Sequence, residues 1–190
     1  KDVNMAPALI LASGSPRRAE LMSYLGFPFE TVIPSVNETP LPSEKPSELV
    51  ERLARSKALW VTEQYPEAVG VAADTVVFIE GRILGKPDSE EDAFLMIRTL
   101  SGKTHQVYTG TAVGCGKDLK SFVTCSEVTF DSLTDSRILN YVKTRECLDK
   151  AGAYAIQGRG LSLVKHVRGS VSSVIGLPIN EVAALLHSDF

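Results

Sequence analysis

Hydroxyl and guanidinium groups are concentrated in the segment 13–18 (SGSPRR), between a predicted strand and a predicted helix. Ser15 is suited to cap that helix, and the backbone amides that follow it point outward with the positive end of the helix dipole. Cations at this position are repelled unless an anion lies between them, so Arg17 and Arg18 favour a phosphate ligand, with Ser13 as a further donor. The alternative, of about equal weight, is a solvated cap whose arginines pair with surface carboxylates.

Two charged side chains occur where the apolar pattern predicts a buried position. Asp74 interrupts the strand-type run 69–79, and a buried carboxylate requires a cation, a metal ion or hydrogen-bond donors beside it. Lys57 lies on the apolar face of a predicted helix over 48–64 and therefore requires an anion. The alternatives are an Asp that accepts backbone donors at a strand kink and a Lys whose stem packs at the rim of the core.

A predicted hairpin supplies one candidate partner for Asp74. A two-residue turn at 80–81 (EG) follows the strand and brings Lys86 opposite the region of Asp74 and Thr75. The register decides this contact, because a shift of one residue moves Lys86 to the other face.

Two further side chains are candidates for ligand contacts. Glu38 lies on an irregular, proline-rich loop over 34–46 and presents a carboxylate without burying it, although a loop glutamate is usually only solvated. Gln157 stands among apolar residues, and its amide offers one donor and one acceptor, which match the edge of uracil or thymine. An amide that satisfies a neighbouring backbone group is the alternative for Gln157.

Composition narrows the classes of protein to consider. The 190 residues are 44% hydrophobic and 23% charged, which is typical of a folded globular chain. A net charge of −3 argues against binding to a nucleic-acid polymer, which needs a broad face of Lys and Arg. The three cysteines form no C-x-x-C pair, and this favours a reducing compartment, the cytoplasm.

Membrane insertion and export are not expected. No apolar run approaches the roughly 18 residues that would span a bilayer. The start, 1–12, imitates a signal peptide, but its apolar part is short and contains a proline, so a first strand is expected there instead. A targeting segment ahead of Lys1 stays an open alternative.

The elements that must position these residues alternate between strands and helices. Predicted helices cover 16–25, 48–64, 89–100, 135–144 and 180–187. Predicted strands cover 8–12, 29–33, 69–79, 82–85, 104–113, 121–130, 153–157, 161–167 and 171–175. Neither a repeat nor a linker interrupts them, so the sequence predicts a single domain over 1–190, of the α/β class with a mixed sheet.

Several short motifs accompany these candidates in a fixed order. They are Leu84-Gly85-Lys86-Pro87, Leu100-Ser101-Gly102, Thr104-His105-Gln106-Val107, Ala151-Gly152-Ala153-Tyr154 and Gly176-Leu177-Pro178. With the residues above, they resemble the Maf family of nucleotide pyrophosphatases over nearly the whole chain. The resemblance implies an elongated mixed β-sheet with flanking helices, related to the inosine triphosphate pyrophosphatases, with two lobes around a central cleft. It also implies hydrolysis of a nucleoside triphosphate to the monophosphate and pyrophosphate with a divalent metal cation, Mg²⁺ or Mn²⁺.

The resemblance also implies a role for each candidate residue. Asp74 is expected to act as the base or as a metal ligand, and Glu38 to help hold the metal. The cations expected to neutralise charge beside Asp74 are Lys57 and Lys86, while Ser13, Ser15, Arg17 and Arg18 are expected to bind phosphates. In the branch of the family that acts on dTTP and UTP, the specificity positions correspond here to Arg17, Thr75 and Gln157.

Two other functions stay open at this point. A non-catalytic nucleotide-binding regulator of cell division would need no Asp74. A 7-methyl-GTP pyrophosphatase, the sister branch, typically departs from the pattern after the Asp and carries an acidic segment in place of the Gln. A homodimer is a further expectation, since dimers are common for such folds.

Overall fold

The computed structural model of the protein describes residues 8–189, so the first part of the signal-like start lies outside the described residues. The strands are β1 (Leu9–Ala12), β2 (Glu30–Val32), β3 (Val69–Ile79), β4 (Arg82–Leu84), β5 (Thr104–Gly114), β6 (Lys120–Phe130) and β7 (Val164–Arg168). The helices are α1 (Pro16–Ser23), α2 (Pro46–Gln64), α3 (Glu90–Leu100), α4 (Asp135–Val142), α5 (Val171–Ile175) and α6 (Ile179–Asp189), with 3₁₀ turns at Ala151–Ala153 and Arg159–Leu163.

Within the described residues the strands form one seven-stranded sheet in the order β2-β1-β3-β5-β6-β7, with β4 paired to β3. Strand β1 runs parallel to both β2 and β3, with Ile10 opposite Glu30 and Gly70. The pairs β3–β4 and β6–β7 are antiparallel. Parallel and antiparallel pairs thus occur in one sheet, and the predicted α/β class with a mixed sheet is confirmed.

The chain divides into two compact units. Unit 1 comprises residues 1–74, 109–123 and 176–190, and unit 2 comprises 75–108 and 124–175. The long strands β3, β5 and β6 each contribute residues to both units. Each unit has an apolar core of its own: that of unit 1 contains Ile10, Ala54, Ala58, Val61, Ala72 and Ala112, and that of unit 2 contains Val77, Ile97, Val128, Phe130, Ile138 and Tyr154.

In unit 1, helix α2 packs closely on the sheet because β5 carries a glycine at the contact. A Cβ atom on Gly110 would overlap the backbone carbonyl of Val50 and approach the backbone nitrogen of Glu51 to 2.6 Å. At its start, Pro46 occupies the first turn and the backbone N–H of Lys45 donates to Glu48 at 2.9 Å. The axis of α2, and with it the position of Lys57, is therefore fixed against the sheet.

Of the three strands predicted after residue 150, two are wrong and one is only partly right. The segment 153–157 is not a strand, because Gly152 and Ala153 have φ angles of 67° and 61°, in the left-handed region, which strands do not use. The segment 171–175 is helix α5, since the Ser170 hydroxyl accepts the backbone N–H of Ser173 at 3.2 Å in the manner of a helix cap. Of the strand predicted over 161–167, the first part is a 3₁₀ turn and only the rest belongs to β7.

Between residues 8 and 189, no helix combines the length and the apolar character needed to cross a bilayer. Cys115, Cys125 and Cys147 all carry free thiols, and only Cys147 is buried.

Candidate active site

The turn between β1 and α1 is organised by its two serines. The hydroxyl of Ser13 accepts the backbone N–H of Ser15 at 3.1 Å, and the hydroxyl of Ser15 accepts that of Arg18 at 3.4 Å. Ser15 is the residue that caps α1, as predicted, and Ser13 is buried. The turn is therefore fixed by its own side chains, and the first turn of α1 contains no acidic residue that would compete for an anion.

Arg18 is held by the chain near the start of α6, a contact that the sequence did not reveal. Its Nε donates to the carbonyl oxygen of Gly176 at 2.7 Å. Gly176 has a φ angle of 132°, and a Cβ atom there would lie 3.2 Å from Arg18 Nε. Burial lowers the pKa of Arg18, and the nearby carboxylates of Asp74 and Glu38 offset only part of that shift. Arg18 therefore acts electrostatically on both carboxylates.

Lys57 forms the centre of a charged cluster in unit 1. Its Nζ lies 2.8 Å from Asp74 Oδ1 and 2.9 Å from Glu38 Oε1. The Lys57 and Asp74 side chains are only 9% and 14% exposed, whereas the Glu38 side chain is 58% exposed. The lysine predicted to face inward therefore pairs with two anions. One ammonium group brings together carboxylates from two different elements, one half-buried and one open to solvent.

The loop that carries Glu38 is itself held by an ion pair that sequence reasoning missed. Both carboxylate oxygens of Glu44 accept from Arg52, at 2.6 and 2.8 Å, and Arg52 also donates to the carbonyl of Thr39 at 3.2 Å. The Arg52 guanidinium lowers the pKa of Glu44 to about 2. Asn37 adds an Asx turn, since its Oδ1 accepts the backbone N–H of Thr39 at 3.0 Å. Fixed on both sides, this exposed loop presents Glu38 in a defined position.

Three of the predicted site residues belong to unit 2. The hairpin at 80–81 forms as predicted, with Val77 opposite Leu84 and Phe78 opposite Ile83. The paired strand β4 ends at Leu84, so the placement of Lys86 opposite Asp74 and Thr75 stays a prediction. Lys86 is exposed, whereas Thr75 and Gln157 are half-buried.

The segment before Gln157 is joined to the segment before Lys86 by backbone. The N–H of Gly152 donates to the carbonyl of Gly85 at 3.0 Å, and a Cβ atom on Gly152 would lie 2.7 Å from a methyl group of Val77. Gly152 is thus required both by its positive φ and by this close approach.

The charged cluster of unit 1 has the chemistry of a phosphoryl-transfer site. Guanidinium and ammonium groups can neutralise a polyphosphate, and a carboxylate can accept a proton from water. Among residues 8–189, no group of three or more His, Cys, Asp and Glu side chains could hold a metal ion on its own. Glu38 and Asp74 nevertheless fit a Mg²⁺-type site, because such ions are commonly held by one or two carboxylates together with substrate phosphates.

Comparison with known proteins agrees with these motifs. The profile of the Maf family, described as Maf-like protein, matches residues 8–189. A dTTP/UTP pyrophosphatase of Bacillus cereus (strain AH820) is 47% identical over 174 residues, which cover 92% of this chain and 91% of that protein. One from Bacillus mycoides (strain KBAB4) is 48% identical over 171 residues, which cover 90% of each.

Solved structures support the fold. The Ham1 protein of Staphylococcus aureus superposes with a TM-score of 0.56 at 15% identity, covering 96% of this chain and all (100%) of that one. A HAM1 protein from Coxiella burnetii gives a TM-score of 0.52 at 14% identity, covering 95% of this chain and 98% of that one. Identities this low concern the architecture alone, whereas the sequence match spans nearly the whole chain: the protein belongs to the Maf family.

Proposed function

We propose that this chain hydrolyses dTTP and UTP, together with modified pyrimidine nucleoside triphosphates, to the monophosphate and pyrophosphate. The observation that carries the proposal is the buried Lys57 ammonium between Asp74 and Glu38, in the same unit as the serine and arginine turn. A buried ion pair contributes little net stability to a fold, because desolvating the charges offsets much of their attraction. Its presence therefore favours a role in binding a ligand. The relatives named dTTP/UTP pyrophosphatase, at 47–48% identity, support the same reaction.

The proposed chemistry is attack of water on the α-phosphorus. Oδ1 of Asp74 is bonded to Lys57 at 2.8 Å, so we assign the proton of the attacking water to Oδ2. As the water oxygen bonds to phosphorus, the bond to the bridging α–β oxygen breaks and pyrophosphate leaves with that electron pair.

The cations neutralise the charge that collects on the phosphates during this step. We assign Arg17 and Arg18, with the hydroxyls of Ser13 and Ser15, to the phosphate oxygens. The Nε anchor of Arg18 on Gly176 leaves the orientation of its guanidinium defined before substrate binds. Lys86 contributes a second, exposed ammonium group, for which we propose the same neutralising role.

A divalent cation, Mg²⁺ or Mn²⁺, would be held by Glu38 and Asp74. When bound, such an ion neutralises phosphate charge and polarises the phosphoryl oxygen. The solvent exposure of Glu38 suits this role, because the ion also needs positions for water and substrate oxygens.

Base selection is assigned to Gln157, with Thr75 and Arg17 as further specificity positions. The Gln157 carbonyl can accept the N3–H of uracil or thymine, and its NH₂ can donate to O4. Cytosine and the purines present a different pattern of donors and acceptors, so they would leave polar groups unpaired. With three free thiols, we propose the reducing cytoplasm as the compartment in which the reaction takes place.

The test is kcat/KM for UTP, dTTP, CTP, ATP, GTP and 7-methyl-GTP with Mg²⁺ or Mn²⁺, on one preparation. We expect UTP and dTTP to be cleaved best, with little regard for the 2′-hydroxyl, and to yield pyrophosphate. Cleavage of 7-methyl-GTP ahead of UTP would assign the chain to the sister branch. Binding of nucleotides without pyrophosphate release would contradict catalysis altogether and favour a regulator of cell division.

A further inference from the structure

One carboxylate in unit 2 holds the backbone that follows Gln157. Glu146 Oε1 accepts the N–H of Arg159 at 2.9 Å, and its Oε2 accepts the N–H of Gly160 at 2.9 Å. Both oxygens of Glu146 therefore receive consecutive backbone amides, two and three residues after Gln157. A charged acceptor makes these bonds stronger than ordinary backbone bonds.

Gly158, directly after Gln157, lies in contact with the Glu146 carboxylate and has a backbone conformation that L-residues rarely adopt. A Cβ atom on Gly158 would overlap Glu146 Oε1, and Gly158 has a φ angle of 94°. The residue directly after Gln157 is thus fixed both in conformation and in its distance from the carboxylate.

A buried hydroxyl holds the same segment on the other side of Gln157. Tyr141 Oη accepts the N–H of Ala155 at 3.2 Å, and a Cβ atom on Gly160 would come within 2.9 Å of that oxygen. Burial raises the pKa of Tyr141, so it stays protonated and its O–H donates to Glu146. Burial by itself would raise the pKa of Glu146, but the two amides and the Tyr141 hydroxyl hold it below its usual range. The carboxylate is therefore charged whenever the segment is in this conformation.

From these contacts we infer that Glu146 and Tyr141 are positioning residues for base selection: they fix the segment 155–160 and thereby the orientation of the Gln157 amide. The inference rests on the proposed role of Gln157. An amide recognises uracil or thymine by its orientation, since turning it over exchanges donor and acceptor and matches cytosine instead. A site of this kind needs its recognition group held by surrounding hydrogen bonds rather than by the ligand. The Glu146 carboxylate, bonded on both oxygens, supplies that support without contacting the substrate.

The matched variants are Glu146→Gln, Tyr141→Phe and the control Glu127→Gln. Glu127 also lies in unit 2, on β6, and its carboxylate pairs with Arg168 at 3.7 Å on the surface. The substrates are UTP, CTP and ribose 5-triphosphate, which carries the phosphates without a base.

For Glu146→Gln we expect the UTP-to-CTP ratio of kcat/KM to fall about tenfold, with ribose 5-triphosphate within about twofold of the wild type. Tyr141→Phe, which removes one hydroxyl, should lower the ratio in the same direction by about threefold, and Glu127→Gln should leave it unchanged. Equal losses on all three substrates, or an unchanged ratio in folded Glu146→Gln or Tyr141→Phe, would overturn the inference.

Hydrogen exchange gives a readout that needs no activity. The amides of Arg159 and Gly160 should exchange about tenfold faster in Glu146→Gln, while those of α2 keep their wild-type rates. Unchanged protection of both amides would contradict the positioning role. If Glu146→Gln does not fold, Tyr141→Phe decides the question through the ratio and the exchange of Ala155.

The proposed function can fail without this inference failing. A wild type that prefers another base would contradict the assignment to dTTP and UTP, yet the ratio between its best and worst bases should still narrow in Glu146→Gln. Conversely, a wild type with the expected preference that Glu146→Gln leaves intact would contradict the positioning role alone.

Discussion

The two units of this Maf family member arrange their polar groups in contrasting ways. In unit 1, charge dominates, with the Lys57 ammonium 2.8 Å from Asp74 and 2.9 Å from Glu38. In unit 2, the segment around Gln157 is held by hydrogen bonds to its backbone, with Tyr141 and Glu146 as acceptors. Charge acts on phosphates, which every nucleoside triphosphate carries, whereas a neutral amide distinguishes one base from another. Substitutions of Lys57, Asp74 or Glu38 should therefore change the rate for all substrates alike, and substitutions around Gln157 should change the ratio between substrates.

The largest effect is expected for Asp74→Asn, which keeps the size of the side chain and removes its charge and basicity. We expect kcat to fall by about 10²–10⁴ for UTP and CTP alike, with the fold retained. Product release under saturating substrate measures the loss, and Asp118→Asn, on the exposed surface of the same unit, is the control. Activity within a few-fold of the wild type would mean that Asp74 is neither base nor metal ligand.

Lys57→Met should have the next largest effect and should act on both rate and stability. Without the ammonium, Asp74 and Glu38 repel each other, so we expect kcat to fall about 100-fold and the free energy of unfolding to fall by about 2 kcal/mol. Denaturant titration and kcat for UTP and CTP check both expectations, with Lys120→Met at an exposed ion pair as the control. A lower stability with full activity in the folded fraction would leave Lys57 a purely structural role.

The charged cluster was largely predictable from sequence, and the physical reason is periodicity. Lys57 on an apolar helix face and Asp74 in an apolar strand both violate the local pattern, and such violations need a partner. The predicted hairpin suggested Lys86 as the partner of Asp74, and the family resemblance placed Lys57 beside Asp74 as well. The residue pattern alone could not show the pairing of Lys57 with Asp74, because a contact over 17 residues depends on how α2 packs on the sheet.

The support of Gln157 could not be predicted in the same way. The neighbouring backbone is bonded to the carboxylate of Glu146, in turns whose conformations depend on residues with positive φ angles such as Gly152 and Gly158. Turns of this kind have no periodic sequence signal. The same lack of signal explains the strand wrongly predicted over 153–157. At 171–175, the β-branched Val and Ile residues favour a strand, but the hydroxyl of Ser170 caps a helix instead.

Gln157→Glu tests the proposed role of unit 2 in selecting the base. A carboxylate accepts but does not donate, so it should lose O4 of uracil while favouring a cationic base. We expect the kcat/KM ratio of UTP to 7-methyl-GTP to fall about tenfold, with smaller changes in kcat for the better substrate. Gln64→Glu, at the exposed end of α2, controls for the added charge. An unchanged ratio would remove Gln157 from base selection.

The remaining expectation concerns stability alone, and it comes from a buried histidine in unit 2. His105 Nε2 lies 2.7 Å from Tyr154 Oη, and burial lowers the pKa of His105 to about 4 from an unfolded value of 6.5. Between these values the unfolded chain binds the extra proton, so stability is lost as the pH falls from 6.5 towards 4, by at most about 1.4 kcal/mol per pH unit.

Melting temperatures at pH 7, 6, 5 and 4 check this expectation. His105→Gln, which keeps a donor for Tyr154 but does not titrate in this range, should flatten the profile. A profile with the same slope in both proteins would assign the acid sensitivity to other groups.

The central claim, that the charged cluster directs water to the α-phosphorus, is tested most directly by hydrolysis of UTP in ¹⁸O-labelled water followed by mass spectrometry of the products. Attack at the α-phosphorus predicts UMP that carries one ¹⁸O atom and pyrophosphate that carries none. Label in the pyrophosphate, or products UDP and phosphate, would contradict the account.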